Sequence, residues 1–591
     1  MKQFLKFVLA TIVGLFLTFL LFILIGSAIV STATDTEGAA VQPNSVLKAK
    51  FNTTLPEQGQ PSAVNSFDPK SFIPKQQMGL NDVLSSIRIA KEDDNIKGMY
   101  LELSGTPNGL ATTSEIREAI EDFKESGKFV LTYGETMTQK AYYLASIADQ
   151  IYLNPAGVIS LKGYHSESMF LKNMLDKWEI EPQIFYAGKY KSATEPLRRT
   201  NMSEPNRKQV ETFLLAFQED YLQKVATSRS MSPQKLEQIM NELLVRNAKD
   251  AKEQGIADEL LYEDQVFDEI KKKLGLDEED KINFVDLGDY ANAGNLPKKK
   301  KLAKEKIAVV YAQGGIVSGE GSMEQIGSEK YAKIIRKIRK NEDVKAIVLR
   351  INSGGGSALA SEIIWRELEM AKEQGIAVVA SMGDVAASGG YYIPVAADTI
   401  VAHENTITGS IGVFGVLMNA SGFFENTMGL TFDRVKTTQF SDFPTSPFLS
   451  RSLNDAEKAV FTQGIDEIYT NFKQRVADGR NTDTMTVETY AQGRVWTGKQ
   501  ALELGLVDVL GSFQDAIDIA ADMAGLENYR LAEYPRQKDP IQAILDDFMQ
   551  TRAQASIKEE LGPFYRHYQQ LKEFQNMEAI QMRIPFDFKV E

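Results

Sequence analysis

EDVKAIVLRI, residues 342–351, runs from an acidic turn into a stretch rich in Val, Ile and Leu. A continuous apolar run of this kind reads as a strand buried on both faces, as in a parallel sheet covered by helices. A close copy stands earlier, DNIKGMYLEL at 94–103, an offset of 342 − 94 = 248. Around it the parallel continues. SEIREAIEDFKESG (114–127) answers SEIIWRELEMAKEQG (361–375) at 247, and YYLASIADQIYLNPAG (142–157) answers YYIPVAADTIVAHENT (391–406) at 249. AKEQGIADEL (251–260) answers ALELGLVDVL (501–510) at 250. An offset this steady marks a tandem duplication. In the second copy the strand-like runs are KIAVVYA, VKAIVLRIN, IAVVASM and TIVAHE. Between them SEIIWRELEMAKEQG opens on a capping serine, Ser361, and closes on Gly375, as a helix does. Strand alternating with helix predicts a parallel α/β unit, twice. Longer helical stretches follow near 203–248 and 454–478.

The expected division is a cytoplasmic tip and anchor at 1–34, a first repeat at 45–297, a basic linker at 298–306, a second repeat at 307–535 and a helical extension at 536–591. With 591 residues, 43% apolar and 25% charged, the chain suits a multidomain globular protein with a large core. A net charge of −14 argues against nucleic-acid partners. The absence of cysteine removes thiolate chemistry, and the three histidines, His165, His403 and His567, stand too far apart to suggest a metal site. No metal and no cofactor are expected.

Residues 7–34 carry no charge, and FVLATIVGLFLTFLLFILIGSAIV (7–30) is long enough to cross a bilayer core, which takes about 20 residues. Lys2 and Lys6 precede it, which predicts a cytoplasmic N-terminus and the remainder of the chain on the outer face of the cytoplasmic membrane. A cleaved signal peptide has a shorter apolar region, about 7–15 residues.

NTITGSIGVFG (405–415) sets one hydroxyl, Ser410, among glycines. A serine needs a base to become a nucleophile. His403 is the nearest conventional one, and its counterpart in the first copy is Asn154. The duplication points elsewhere. At an offset of 249 Ser410 falls on Leu161, and Lys191 of YAGKYKSATEP (186–196) falls on Phe440. Each copy keeps what the other lacks, so Lys191 is the candidate base. Lys189, opposite Thr438, is its competitor. A lysine can take a proton only when neutral, which requires a buried, apolar setting. INSGGGSALASE (351–362) offers Gly354, Gly355 and Gly356 between strand and helix, where N–H groups can face a developing oxyanion. The first copy reads LSGTPNGLATTSE, with that glycine run broken. Ser388 of DVAASGGYYI is a rival nucleophile.

Taken together, the anchor, the duplication and the motifs YKSATEP, NSGGGSALASE, AASGGYYI and TGSIGVFG resemble the signal peptide peptidase A family of Ser/Lys membrane proteases in its long tandem form. The resemblance implies two Clp-protease/crotonase-like α/β repeats with helical extensions after one transmembrane helix. It assigns Ser410 as nucleophile and Lys191 as base, although Clp proteases use the serine of the AAS position, here Ser388. It implies a homo-oligomer, a tetramer, acting on signal-peptide remnants and other apolar peptides. A non-catalytic membrane scaffold and a crotonase-like acyl-CoA enzyme are the alternatives.

Overall fold

A computed structural model describes Gly14, Thr18 and residues 41–61, 76–291, 293, 303–444, 448–536 and 580–584. The expected anchor, most of the basic linker and most of the C-terminal extension lie outside the described residues. Among the described residues, no helix is long and apolar enough to cross a membrane.

The two copies build two parallel sheets on one plan. In the first, the strand order is Glu259–Leu260, Gln150–Ile159, Phe129–Met137, Ile96–Glu102, Ser45–Ala49 and Asn283–Asp286. In the second, Ala377–Ala387, Val344–Ser353, Lys306–Gln313 and Arg530–Tyr534 repeat that order. Thr399–Ala402 and Ile407–Gly409 both flank Ala377–Ala387, and Val495–Thr497 closes the far edge antiparallel to Ile407–Gly409. The strand Val344–Ser353 does not alternate between apolar and polar residues, because both of its faces are covered: Ala346, Ile347, Val348 and Leu349 are all buried.

Helix Ala358–Glu373 begins one turn before the expected start. Ser357, not Ser361, is its cap, accepting from the Ala360 N–H at 3.3 Å. Ser361 lies inside the helix and donates its hydroxyl to the Ser357 carbonyl at 2.9 Å, a bond open to serine in a helix interior. The long helices are Glu204–Ser228 and Asp455–Gly479.

Two connections lock the copies together. One is ionic. Arg350, in the second sheet, is 1% exposed and reaches Glu57 and Glu115 of the first copy at 2.7 Å each. Thr112 adds an N–H and a hydroxyl on Asp384 at 2.9 and 2.7 Å. The other is a strand: Glu181–Ala187 of the first copy pairs antiparallel with Val413–Asn419 of the second, from Ala187↔Val413 to Glu181↔Asn419. The described end of the C-terminal extension is not helical. Ile580–Arg583 is a strand between Gly355–Ser357 and Val413–Asn419.

Candidate active site

The strand Glu181–Ala187 ends where Val413–Asn419 begins, and the chain on either side carries the candidate residues. Past Ala187, the left-handed turn at Gly188 (φ +100°) sends the backbone to Lys191. Ahead of Val413 stands Ser410. The Lys191 loop is held by the second copy: the Tyr190 N–H donates to the Gln492 carbonyl at 2.9 Å. Gln209 adds its amide, 3.2 Å from the Tyr190 carbonyl and 3.0 Å from Ser192 Oγ, and accepts from the Val495 N–H at 3.3 Å. Gly493 touches the lysine backbone so closely that a methyl group there would lie 2.6 Å from Lys191 Cβ.

Lys191, 219 residues before Ser410, reaches it. Nζ lies 3.1 Å from Ser410 Oγ, 3.1 Å from the Ser410 carbonyl oxygen and 2.8 Å from Ser388 Oγ. Lys191 is 1% exposed and both serines are fully buried. Burial penalises the ammonium and holds the Lys191 pKa well below its ordinary value, and among the described residues no carboxylate opposes the shift. Both hydroxyls named in the sequence therefore meet one amine. They differ in their other partners. Ser410 Oγ lies 3.3 Å from the Gly493 carbonyl, to which only its hydroxyl proton can bond.

The backbone differs too. Ser388 has φ +58° and ψ −118°, a conformation foreign to a residue with a side chain, in the turn from strand Ala377–Ala387 into the short helix Gly389–Tyr392. Its N–H donates to the Gly409 carbonyl at 2.8 Å, which couples the two serine turns. Ser410 is also left-handed, at φ +50°.

The glycine run lies against the Ser388 turn. Gly355 has φ +100°, and a methyl group on it would lie 2.9 Å from the Gly389 nitrogen. One on Gly389 would lie 3.2 Å from the Gly356 nitrogen. Gly354 lies against Ile584 instead. The Gly355 N–H donates to Ser353 Oγ at 3.1 Å.

His403 is elsewhere. Its Nε2 is 3.0 Å from Glu118 Oε1, and Nδ1 accepts from the Asn405 N–H at 3.2 Å, so both ring nitrogens are engaged away from the serines. Lys189 lies over the Tyr190 ring, 5.3 Å from its centroid. Sequence reasoning missed Gly493 and Gln209. Their only signal is Gly493 in a polar loop, because their role depends on contact with the other copy.

The sequence profile of peptidase family S49 matches residues 122–277 and 370–527, one region in each copy. The chain belongs to peptidase family S49. It is 34% identical over 83% of its length to Protease 4 of Haemophilus influenzae, covering 80% of that protein. It is 35% identical over 80% of its length to Protease 4 of Salmonella typhi, covering 76% of it. Against the chloroplastic serine protease SPPA of Arabidopsis thaliana the identity is 32% over 77% of this chain and 68% of the relative. Among solved structures, a ClpP1 of Listeria monocytogenes aligns at 14% identity over 35% of this chain and 94% of its own, with a TM-score of 0.24. As a family S49 member with two matched regions, the chain is a serine protease of the tandem form.

Proposed function

We propose that the chain is an endopeptidase in which Lys191 is the general base and Ser410 the nucleophile, with Ser388 positioning the lysine. The observation that carries this reading is a buried amine within hydrogen-bond reach of the Ser410 hydroxyl, Nζ lying 3.1 Å from Ser410 Oγ. A neutral amine has two N–H donors and one lone pair. The Ser410 carbonyl at 3.1 Å and Ser388 Oγ at 2.8 Å can accept the two N–H groups. The lone pair then remains for the Ser410 hydroxyl, whose proton can turn between Nζ and the Gly493 carbonyl at 3.3 Å.

Lys191 removes the Ser410 proton as Oγ attacks the peptide carbonyl, and main-chain amides of the glycine run, at Gly354 and Gly356, take up the oxyanion charge. Lysine then protonates the leaving amine, and water releases the acyl group along the same proton path. The burial of Lys191 supports the base role, since a solvated lysine would be almost wholly protonated at pH 7.

The apolar stretch 7–30, with Lys2 and Lys6 before it, supports a single-pass anchor in the cytoplasmic membrane with the catalytic portion outside the cytoplasm. Signal-peptide remnants and other apolar peptides are then the substrates within reach. A homo-oligomer, a tetramer, rests on the family resemblance alone.

The test is covalent. The intact protein is treated with a fluorophosphonate or a peptide chloromethyl ketone, digested, and mapped by mass spectrometry. Adduct on the peptide containing Ser410, absent from Lys191→Ala, is expected. Adduct on Ser388 alone would move the nucleophile to that residue.

A further inference from the structure

One short loop of the second copy touches both the Lys191 loop and the Ser410 turn. After helix Thr484–Tyr490 the chain passes through Gln492 at φ +55° and Gly493 at φ +77°, then enters strand Val495–Thr497. Gly409 and Ser410, at φ +77° and +50°, form a second left-handed pair. The two turns bond to each other: the Ser410 N–H donates to the Arg494 carbonyl and the Gly493 N–H to the Ile411 carbonyl, both at 2.7 Å. The Gln492 carbonyl and Gly493 meanwhile hold the Lys191 loop. A non-glycine residue at φ > 0 is costly and persists where its surroundings demand it.

Side chains extend this double contact. The Arg494 guanidinium carbon lies 5.3 Å from the centroid of the Tyr190 ring and 3.9 Å from that of the Trp496 ring. Tyr190 immediately precedes Lys191. The Trp496 ring lies against Gly409, which immediately precedes Ser410: a methyl group on Gly409 would be 2.8 Å from Trp496 Cδ1. Trp496 is itself fixed by its indole N–H, which donates to the Tyr490 carbonyl at 3.0 Å. A planar guanidinium suits this place, since it stacks flat on an aromatic face, which an ammonium does not. The first copy supplies the control. Val495 and Thr497 fall on Val245 and Asn247 at an offset of 495 − 245 = 250, and Thr497 and Asn247 each cap the helix that follows. At the same offset Gly493, Arg494 and Trp496 fall on Leu243, Leu244 and Arg246, and at 249 Tyr190 falls on Gln439. Both copies keep the scaffold of the loop. The cation and its two rings are confined to the place where Lys191 meets Ser410.

We propose that Arg494 is a positioning residue for the Lys191–Ser410 pair: its guanidinium ties the Tyr190 ring to the Trp496 ring, and so fixes the lysine against the serine across the two copies and keeps water from the amine. The proposal rests on the Lys191–Ser410 reading for its effect on rate, and on the contacts alone for its effect on the loop. Arg494 acts through the two rings rather than on the substrate. Two other charged groups stand on the Lys191 loop and the short helix after it. Lys189 lies over the same Tyr190 ring at 5.3 Å, and the Glu195 carboxylate accepts from the Ser203 N–H and the Asn206 amide at 3.0 and 2.9 Å. Both act within the first copy, so Arg494 is the cation that joins the two.

The test uses the full-length protein and an added apolar peptide. Arg494→Met removes the charge and the plane of the side chain. It should lower kcat about tenfold or more, leave KM within about twofold, and move the midpoint of the kcat/KM–pH profile upward by about half a pH unit or more, as water reaching the lysine restores part of its ordinary affinity for protons. Tyr190→Leu should do the same, and Tyr190→Phe, which keeps the ring, should hold kcat within about threefold of the parent. Arg494→Met/Tyr190→Leu should lose little more than either single variant, as contacting residues do. A lower melting temperature with kcat and the pH midpoint unchanged would make the residue merely structural and overturns the proposal, as does a fully multiplicative loss in the double variant. If Arg494→Met does not fold, the two Tyr190 variants decide by the same readings. Hydrogen exchange separates the clamp from the chemistry. The Tyr190 N–H, bonded to the Gln492 carbonyl at 2.9 Å, should exchange about fivefold faster or more in Arg494→Met. If the parent cleaves no peptide, the Lys191–Ser410 reading is what fails. Faster exchange then still supports the clamp, and equal exchange overturns it.

Discussion

The same turn is built twice in this molecule, once strained and once relaxed. In the second copy, strand Ala377–Ala387 ends in Ser388 at φ +58°, and no side chain caps the helix that follows. In the first, strand Phe129–Met137 ends in Thr138 at φ −72°, whose hydroxyl caps helix Gln139–Ala145 by accepting from the Ala141 N–H at 3.3 Å. Gln139 stands where Ser388 does, 249 residues earlier, and its carbonyl oxygen accepts from the Lys162 and Gly163 N–H groups at 3.1 and 2.9 Å. The relaxed copy uses its polar groups on its own backbone. The strained copy leaves a hydroxyl facing an amine. Holding a residue in a sparsely populated backbone region costs about 1–3 kcal/mol. The first copy does not bear that cost at this turn.

The largest expected effects come from removing the chemistry of the second copy. Ser410→Ala and Lys191→Ala should each lower kcat/KM for a peptide by about 10³-fold or more, and the double variant should lose little beyond either single, as residues acting as one unit do. Ser388→Ala should cost only about 10–100-fold, because it loosens the lysine without removing the attacking oxygen or the base. Steady-state kinetics of the four proteins decides this, and the reverse ranking of Ser388 and Ser410 would exchange their roles.

Next comes the junction between the copies. Arg350→Met leaves Glu57 and Glu115 buried without their cation, and unfolding in urea should show a loss of about 3–5 kcal/mol. Burial already pushes the Glu115 pKa up even with the arginine in place. A loss below about 1 kcal/mol would mean that the copies are held chiefly by the shared strand Glu181–Ala187.

Lys191 itself should oppose folding. Its pKa is lower in the folded protein than in the unfolded chain, so between the two values the unfolded chain binds the extra proton and stability rises with pH. Lys191→Met should therefore stabilise the protein by about 1–4 kcal/mol at pH 7 while abolishing turnover, an advantage that fades as pH approaches about 10.4. In the native protein kcat/KM should climb with pH through the depressed lysine pKa. A profile that is flat from about pH 6 to 10 removes lysine as the base.

The smallest effect tests the first copy's relaxed version of the turn. Gln139→Ser gives up an acceptor for two amides and should cost about 1 kcal/mol of stability, with peptide turnover within about twofold of the parent. A second active site appearing in the Lys191→Ala background would show that strain and a base are not both required.

The duplication was legible because its period survives in apolar runs that both sheets need for burial. That Lys191 lies against Ser410 was legible for a related reason: each copy has an apolar residue where the other keeps one of the pair, Leu161 opposite Ser410 and Phe440 opposite Lys191. That Ser388 meets the same amine was not, because it depends on the turn that holds Ser388 at φ +58°. The helix start at Ser357 was misread as Ser361 because both residues can cap, and only the strand position of Gly355–Ser357 decides between them. The tail strand was invisible for want of length. Four residues, IQMR, have no period to read, and their partners at Gly355–Ser357 and Phe414–Gly415 lie far back along the chain.

The strand Glu181–Ala187 that the first copy lends to the second has a consequence for synthesis. A ribosome delivers Lys191 long before the serines it meets, Ser388 coming 197 and Ser410 219 residues later. At about 5–20 residues per second the interval is about 10–45 s. Throughout it the emerging chain has the lysine without its serine partners. A cluster assembled from both halves of one sequence cannot form until the second half has left the ribosome.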